Sequence, residues 1–390
     1  MSLRRFAFAC LLAFCIPAFM EAQDTAASSQ LDARRVTRPR LAQGNGIWIK
    51  PRSTPLPGNE AVMVARLKDH SIKHVFLWTV HYNAARYAVF APFIREAHRY
   101  GLTVHAVCAT RETTVSQGVL SPALLTTAIR EIAAYNTSHP EASLDGAQID
   151  IEGVEGPELL KLLTAVHVPA TLVFSAAIQP EEFHDNMEPS FAALLEKTDL
   201  SVLVPMLYTM DDIAYKGGTA RFPLDIARLR ARTTRLLSEI PSKGSLMIGL
   251  SAYDREFPVL KSTGGVDREY LNRLGTPDGL SQIASSPDSS YGVAHLTSAG
   301  KLLMSVSRQT NAGVNVYRFD YDTNHWVDVI ETTPLGLRDA IAAADKGAAG
   351  DSRYVGACVW LYQTTFDPYS RRQEGLGSSI LQAAPNSALR

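Results

Sequence analysis

The chain has 390 residues, 46% of them hydrophobic and 20% charged, and a formal net charge of −1. That is the composition of a folded globular protein, neither disordered nor collagen-like. Near-zero charge supplies no general attraction to nucleic acid or to an anionic membrane.

The first feature in chain order is a targeting segment. Arg4 and Arg5 precede an apolar run over 6–19, and Ala22 offers a small residue for cleavage. Residues 1–22 therefore read as a signal peptide, which makes the mature protein secreted or periplasmic. The run is short for a membrane span. Cys15 raises a lipid anchor as the alternative to a soluble chain, and the bulky Phe14 before it argues against one. Residues 23–44 have no apolar period and read as a disordered linker, with the folded part over 45–390. Cys108 and Cys358 lie in apolar runs and read as buried thiols. No Cys/His spacing of zinc type and no nucleotide or redox motif appears, so no metal or cofactor is expected.

From residue 45 onward, short β-rich runs alternate with longer helical patterns. The strand runs are 46–50, 74–80, 103–110, 146–153, 171–178, 201–209, 246–253 and 355–362. The helical ones are 60–70, 87–100, 122–135, 157–166, 189–197, 224–239 and 335–346. Between the seventh and eighth strands, residues 254–333 read as an inserted subdomain with a helical stretch at 299–309 and a strand at 314–321. Eight strands separated by helices predict an α/β fold, a (β/α)8 TIM barrel with a small α+β insertion between strands 7 and 8. An open doubly wound sheet fits less well. Its Gly-rich phosphate turn is missing after the first strand, where Pro51-Arg52-Ser53-Thr54-Pro55 stands instead.

The segment Asp145-Gly146-Ala147-Gln148-Ile149-Asp150-Ile151-Glu152 carries the chemistry. Strand alternation points Gln148, Asp150 and Glu152 to one side. Either that side faces solvent at a sheet edge, or it lines a polar cleft. In a barrel the second reading puts both carboxylates at the C-terminal rim, where active sites of this fold lie. Other strand ends bring Trp78, His81, Met206, Tyr208, Tyr253, Trp360 and Tyr362. Aromatic rings around a carboxylate pair suit a sugar, whose apolar faces stack while its hydroxyls hydrogen-bond. Met206 also reads as core packing, and Trp78 and Tyr253 equally as wall aromatics. His81, His105 and His295 read as ordinary or satisfied histidines, and Glu155 and Asp211 as solvated loop acids.

These residues resemble glycoside hydrolase family 18, the chitinases and their relatives. The motif at 145–152 resembles that family's Asp-Gly-x-Asp-x-Asp-x-Glu signature. Val204-Pro205-Met206-Leu207-Tyr208 is similar to its Met-x-Tyr strand, Ile248-Gly249-Leu250-Ser251-Ala252-Tyr253 to its seventh strand, and Gly356-Ala357-Cys358-Val359-Trp360 to its last. The resemblance spans 146–360 and leaves the first third matched in strand rhythm alone. It implies substrate-assisted hydrolysis, an exception to the two-carboxylate scheme. Glu152 would protonate the glycosidic oxygen, kept protonated by an ionised Asp150 beside it. Asp150 would orient the 2-acetamido group that attacks the anomeric carbon, Tyr208 would hydrogen-bond the carbonyl oxygen of that group, and Trp360 would floor the site. Gln148, Met206, Tyr253 and Trp78 complete the implied substrate contacts.

One position departs from the family. Gln148 stands where the signature has its inner Asp, and an amide cannot share a proton with Asp150; a changed pH profile or weaker hydrolysis is expected. The reading is thus a secreted glycosidase with an oligosaccharide or polysaccharide partner and N-acetylglucosamine-containing glycans as substrate. The alternatives are a non-catalytic glycan-binding protein on the same scaffold, and a two-carboxylate glycosidase using Glu152 with Glu155 or Asp211 on neutral sugars.

Overall fold

A strand buried on both faces needs apolar side chains in both directions, and the chain supplies them eight times. The computed structural model describes residues 39–50, 58–178, 191–207, 226–251, 255–265, 267, 294–296, 302–311, 314–320, 323–332 and 334–360. Eight parallel strands close into a barrel: β1 (Asn45–Ile49), β2 (Ile72–Trp78), β3 (Thr103–Thr110), β4 (Gly146–Asp150), β5 (Val173–Ile178), β6 (Val202–Pro205), β7 (Ser245–Ser251) and β8 (Tyr354–Trp360). Each strand pairs with its chain neighbour, and β8 closes on β1 through Gly46–Cys358 and Ile47–Val359. The helices that follow in sequence are α1 (Glu60–Asp69), α2 (Ala91–Arg99), α3 (Pro122–Ser138), α4 (Gly156–Thr164), α5 (Phe191–Lys197), α6 (Ile226–Glu239) and α7 (Pro334–Ala348). This is the predicted (β/α)8 barrel.

Helix starts follow local chemistry. Ser121 accepts a hydrogen bond from the Leu124 amide, and Pro122, which has no amide hydrogen to lose, opens α3. Pro157 likewise lies in the first turn of α4, which has no side-chain cap.

The barrel strands feed two separate cores. Ile47, Ile49, Val75, Val104, Ala147 and Ile149 face outward and pack with helix residues such as Leu67, Ile94, Ile129, Leu162 and Leu194. Trp48, Phe76, Val107, Val204, Met247 and Cys358 face inward. Each such side chain contributes about 1.5–3 kcal/mol by leaving water. On β4 the alternation puts Ala147 and Ile149 against the helices, and so turns Gly146, Gln148 and Asp150 into the barrel. Cys108 and Cys358 are free and buried, and burial pushes the Cys108 thiol up to about 12.

The inward face is polar at its N-terminal end. His74 donates through Nε2 to the Ala42 carbonyl (2.8 Å), so its Nδ1 accepts from Thr103 Oγ1 (2.8 Å). Thr103 Oγ1 in turn accepts from His105 Nε2 (2.8 Å), and His105 Nδ1 has no hydrogen-bond partner among the described residues. His105, read from sequence as an ordinary or satisfied histidine, is thus bonded through one ring nitrogen. Burial holds both rings neutral, pushing His74 down to about 4 and His105 down to about 3.

Three sequence expectations need correction. The linker ends earlier than residue 44: Leu41 is buried in the inner core, and the Gly44 amide bonds the Val355 carbonyl (2.8 Å). The expected helix at 299–309 is a strand, Leu302–Asn311. That strand belongs to a five-stranded antiparallel sheet, in the order 255–260, 325–332, 314–320, 302–311, 294–296. It pairs Asn311 with Val314 on the neighbouring strand. The described part of the insertion is thus β rather than α+β. Finally, β4 stops at Asp150 rather than continuing to residue 153. The expected signal peptide and residues 23–38 lie outside the described residues. Among the described residues no helix is long and apolar enough to cross a membrane.

The first two residues of the β4 motif are structural. Asp145 accepts hydrogen bonds from the Val104 amide (2.7 Å) and from His98 (2.9 Å), which joins β3, α2 and β4. A Cβ on Gly146 would collide with the His105 ring and with the Val173 carbonyl. Gly146→Ala is expected to destabilise the protein by roughly 1–3 kcal/mol, the usual cost of forced overpacking. The denaturant midpoint measures it, and an unchanged midpoint would disprove the close packing at this point.

Candidate active site

Strand alternation carries Gln148 and Asp150 up the inside of the barrel towards its C-terminal mouth. Gln148 is fully buried. Its Oε1 accepts from Trp48 Nε1 at 2.6 Å, and its Nε2 donates to Ser175 Oγ at 3.2 Å. The indole can only donate, which decides which way the amide faces.

Asp150 is the last residue of β4, in register with Thr110 on β3 and Ala177 on β5. It is 7% exposed, and its Oδ1 finds no hydrogen-bond partner among the described residues. Burial in the first place, then the negative charges of Glu152 and Glu112, push its carboxyl up to about 8, while Lys50 pulls the other way. This corrects the sequence expectation of an ionised Asp150 that keeps Glu152 protonated. The free protein holds Asp150 itself neutral at neutral pH, because a dry site with a like charge nearby favours the uncharged acid.

Glu152 lies two residues beyond the strand and is exposed. The turn that follows it is anchored. Gly153 has φ +65°, a conformation glycine adopts without strain, and its carbonyl accepts from Arg111 Nη1. Arg111 opens a single helical turn, Arg111–Thr114, stabilised by the Thr110 amide on Thr113 Oγ1 (2.8 Å) and by Thr114 Oγ1 on the Thr110 carbonyl (2.7 Å). The end of β3 thereby holds the loop that bears Glu152.

The aromatic side of the mouth is continuous. Trp360, half-buried at the end of β8, meets Trp48 at 5.8 Å and Trp78 at 5.6 Å between ring centres, both edge-to-face. Lys50 Nζ sits 4.9 Å from the centre of the Trp78 ring. One face of Trp78 therefore carries an ammonium, and of the two expected sugar platforms Trp360 is the better placed. Met206 is buried in the inner core and bridges to Gly249. A Cβ on Gly249 would meet Met206 Cα at 3.1 Å and Trp48 Cη2 at 3.4 Å, so the glycine lets β6 and Trp48 close together.

The structure thus brings together Gln148, Asp150, Trp360 and Trp78, with Glu152 on the loop directly beyond. Tyr208 and Tyr253 lie outside the described residues, as do Asp211 and Tyr362. Glu155 is exposed in its loop, as expected. Trp48 was missed. Its signal was present in Ile47-Trp48-Ile49, where alternation turns the indole away from the isoleucines and into the barrel. Among the described residues no group of three or more His, Cys, Asp or Glu could hold a metal ion.

No family model matches the chain, and no curated protein matches it. Solved structures do. The Bacillus cereus spore cortex-lytic enzyme SleL aligns with a TM-score of 0.50 at 10% identity, over 88% of this chain and 75% of that one. A chitinase from Chromobacterium violaceum ATCC 12472 aligns with a TM-score of 0.51 at 12% identity, over 89% of this chain and 99% of that one. At such identities the likeness is one of fold, the closed (β/α)8 barrel.

The raised Asp150 carboxyl has a defined effect on stability. The folded state binds this proton more tightly than the unfolded chain, so the favourable contribution is complete below the unfolded value of 3.8 and is lost as pH rises towards about 8. Asp150→Asn is therefore expected to raise the melting temperature at pH 8 and to leave it nearly unchanged at pH 4. Thermal unfolding at the two pH values measures this; equal shifts at both would show that Asp150 is not held neutral.

Proposed function

We propose that the protein is a glycoside hydrolase acting on N-acetylglucosamine-containing glycans by a substrate-assisted, retaining reaction. The observation that carries this reading is a buried Asp150 whose Oδ1 has no partner among the described residues, two positions before an exposed Glu152 at a tryptophan-floored barrel mouth. An unpartnered buried oxygen calls for a donor from the ligand, and the acetamide N–H of such a sugar supplies one.

The steps follow from these positions. The sugar's acetamide N–H donates to Asp150 Oδ1, and its carbonyl oxygen attacks the anomeric carbon as the glycosidic bond breaks. Glu152, having taken up the proton that Asp150 gives up as the N–H approaches, delivers it to the leaving oxygen. Water then adds to the cyclic oxazolinium intermediate, giving up a proton to Glu152 and restoring the acetamide with the original anomeric configuration. Asp150 accepts best when ionised, so approach of the N–H and of developing positive charge draws its carboxyl back towards the ordinary range. Tyr208 is assigned to the acetamide carbonyl by the family resemblance, and Trp360 to the sugar's apolar face. Arg4, Arg5 and the apolar run after them make export to the periplasm or the medium part of the same proposal.

A glycan-binding protein without turnover is the second reading, favoured by the neutral Asp150 and by an amide at 148. One experiment separates the two. Glu152→Gln is expected to lower turnover of a chromogenic chitooligosaccharide by about 10²–10⁴-fold, the span of general-acid catalysis. Because Glu152 is one of the charges raising the Asp150 carboxyl, the same substitution is expected to move the pH midpoint of oligosaccharide binding downward. Binding by both proteins with no product from the wild type would establish the second reading.

A further inference from the structure

We propose that Gln148 is a positioning residue that sets the tryptophan floor of the site through Trp48, and is not merely a lost carboxylate. This inference rests on the glycosidase reading for its binding readout alone. The chain of contacts is continuous. Ser175 Oγ accepts from Gln148 Nε2 at 3.2 Å, Gln148 Oε1 accepts from Trp48 Nε1 at 2.6 Å, and Trp48 meets Trp360 edge-to-face at 5.8 Å. Gln148 and Ser175 are fully buried and Trp48 nearly so, which leaves the indole N–H no solvent to fall back on.

Side-chain chemistry explains why glutamine fits and its relatives do not. Aspartate is shorter by one methylene, about 1.5 Å, and would lose the bond to Trp48. Glutamate has the reach but would bring an ionisable acid into the dry interior below Asp150. Leucine has comparable bulk but leaves the indole N–H unmet. Glutamine alone offers reach, neutrality, an acceptor towards Trp48 and a donor towards Ser175. With both ends of its amide engaged elsewhere, it makes no bond to Asp150, whose Oδ1 has no partner among the described residues.

The test is a double-mutant cycle over Gln148→Leu and Trp48→Phe, read in two ways. Near-ultraviolet circular dichroism of the ligand-free protein reports the tryptophan arrangement. Titration with chitotetraose, in a Glu152→Gln background so that nothing is cleaved, reports the floor. Each single change is expected to alter the tryptophan bands and to weaken chitotetraose about tenfold, the scale of one buried hydrogen bond. The double change should be no weaker than the worse single one, since both act through the same contact. Gln148→Glu, measured at pH 5 where burial keeps its carboxyl protonated, should stay near wild type in both readouts. Wild-type tryptophan bands in Gln148→Leu, losses that multiply in the double variant, or wild-type bands and binding in Gln148→Asp would each overturn the proposal. If the wild-type sequence in that background binds no chitooligosaccharide, the glycosidase reading falls by itself, and the dichroism of the ligand-free variants still decides the role of Gln148.

Discussion

A buried amide depends on the protein for its hydrogen bonds, and the inside of this barrel is arranged around one with a partner at each end. Gln148 joins β1 to β4 through Trp48 and β4 to β5 through Ser175. The first of these bonds crosses the barrel interior between non-adjacent strands, and the second ties register partners on adjacent ones. Because β4 alternates, placing Gln148 inward places Asp150 inward as well, two residues nearer the mouth. The position of the reactive carboxyl thus depends on the satisfaction of the amide beneath it.

The same dry interior acts on ionisable groups at both ends of the barrel, with opposite signs. At the mouth, burial raises the Asp150 carboxyl and keeps it protonated. At the N-terminal end, burial lowers His74 and His105 and keeps them unprotonated. In each case the neutral form wins, since removing a charge from water costs more than the surrounding dipoles return. A barrel interior that tolerates two histidines, a glutamine and an aspartic acid therefore carries almost no net charge. The charged groups of the site, Glu152 and Lys50, stand at the exposed rim, where water shares the cost.

Rigid and adaptable parts are cleanly divided. Asp150 and Trp360 sit at the last residues of strands, fixed by the barrel's hydrogen bonds, and Gln148 lies deeper in β4. Glu152 sits on a loop, but a loop held by Arg111 from the end of β3 and turned by a glycine at positive φ. A proton donor that must reach a leaving group gains from such a turn, while the residue that orients the substrate gains from a strand.

Periodicity and spacing made much of this legible in the chain itself. The alternation of short apolar runs with amphipathic ones determined eight strands in order, since a strand buried on both faces and a helix packed on one leave different patterns. The two-residue spacing at 148, 150 and 152 identified the strand that carries Gln148 and Asp150 and leads to Glu152. What it left undetermined involved partners distant in sequence. Trp48 lies 100 residues from the amide it binds, so the link appears only when the barrel closes. The 302–311 strand read as a helix because its neighbours in the sheet, not its own pattern, settle its conformation. The protonation of Asp150 follows from burial and from nearby charges, which are properties of a packed interior; local sequence supplies the carboxyl, and only tertiary structure decides its charge.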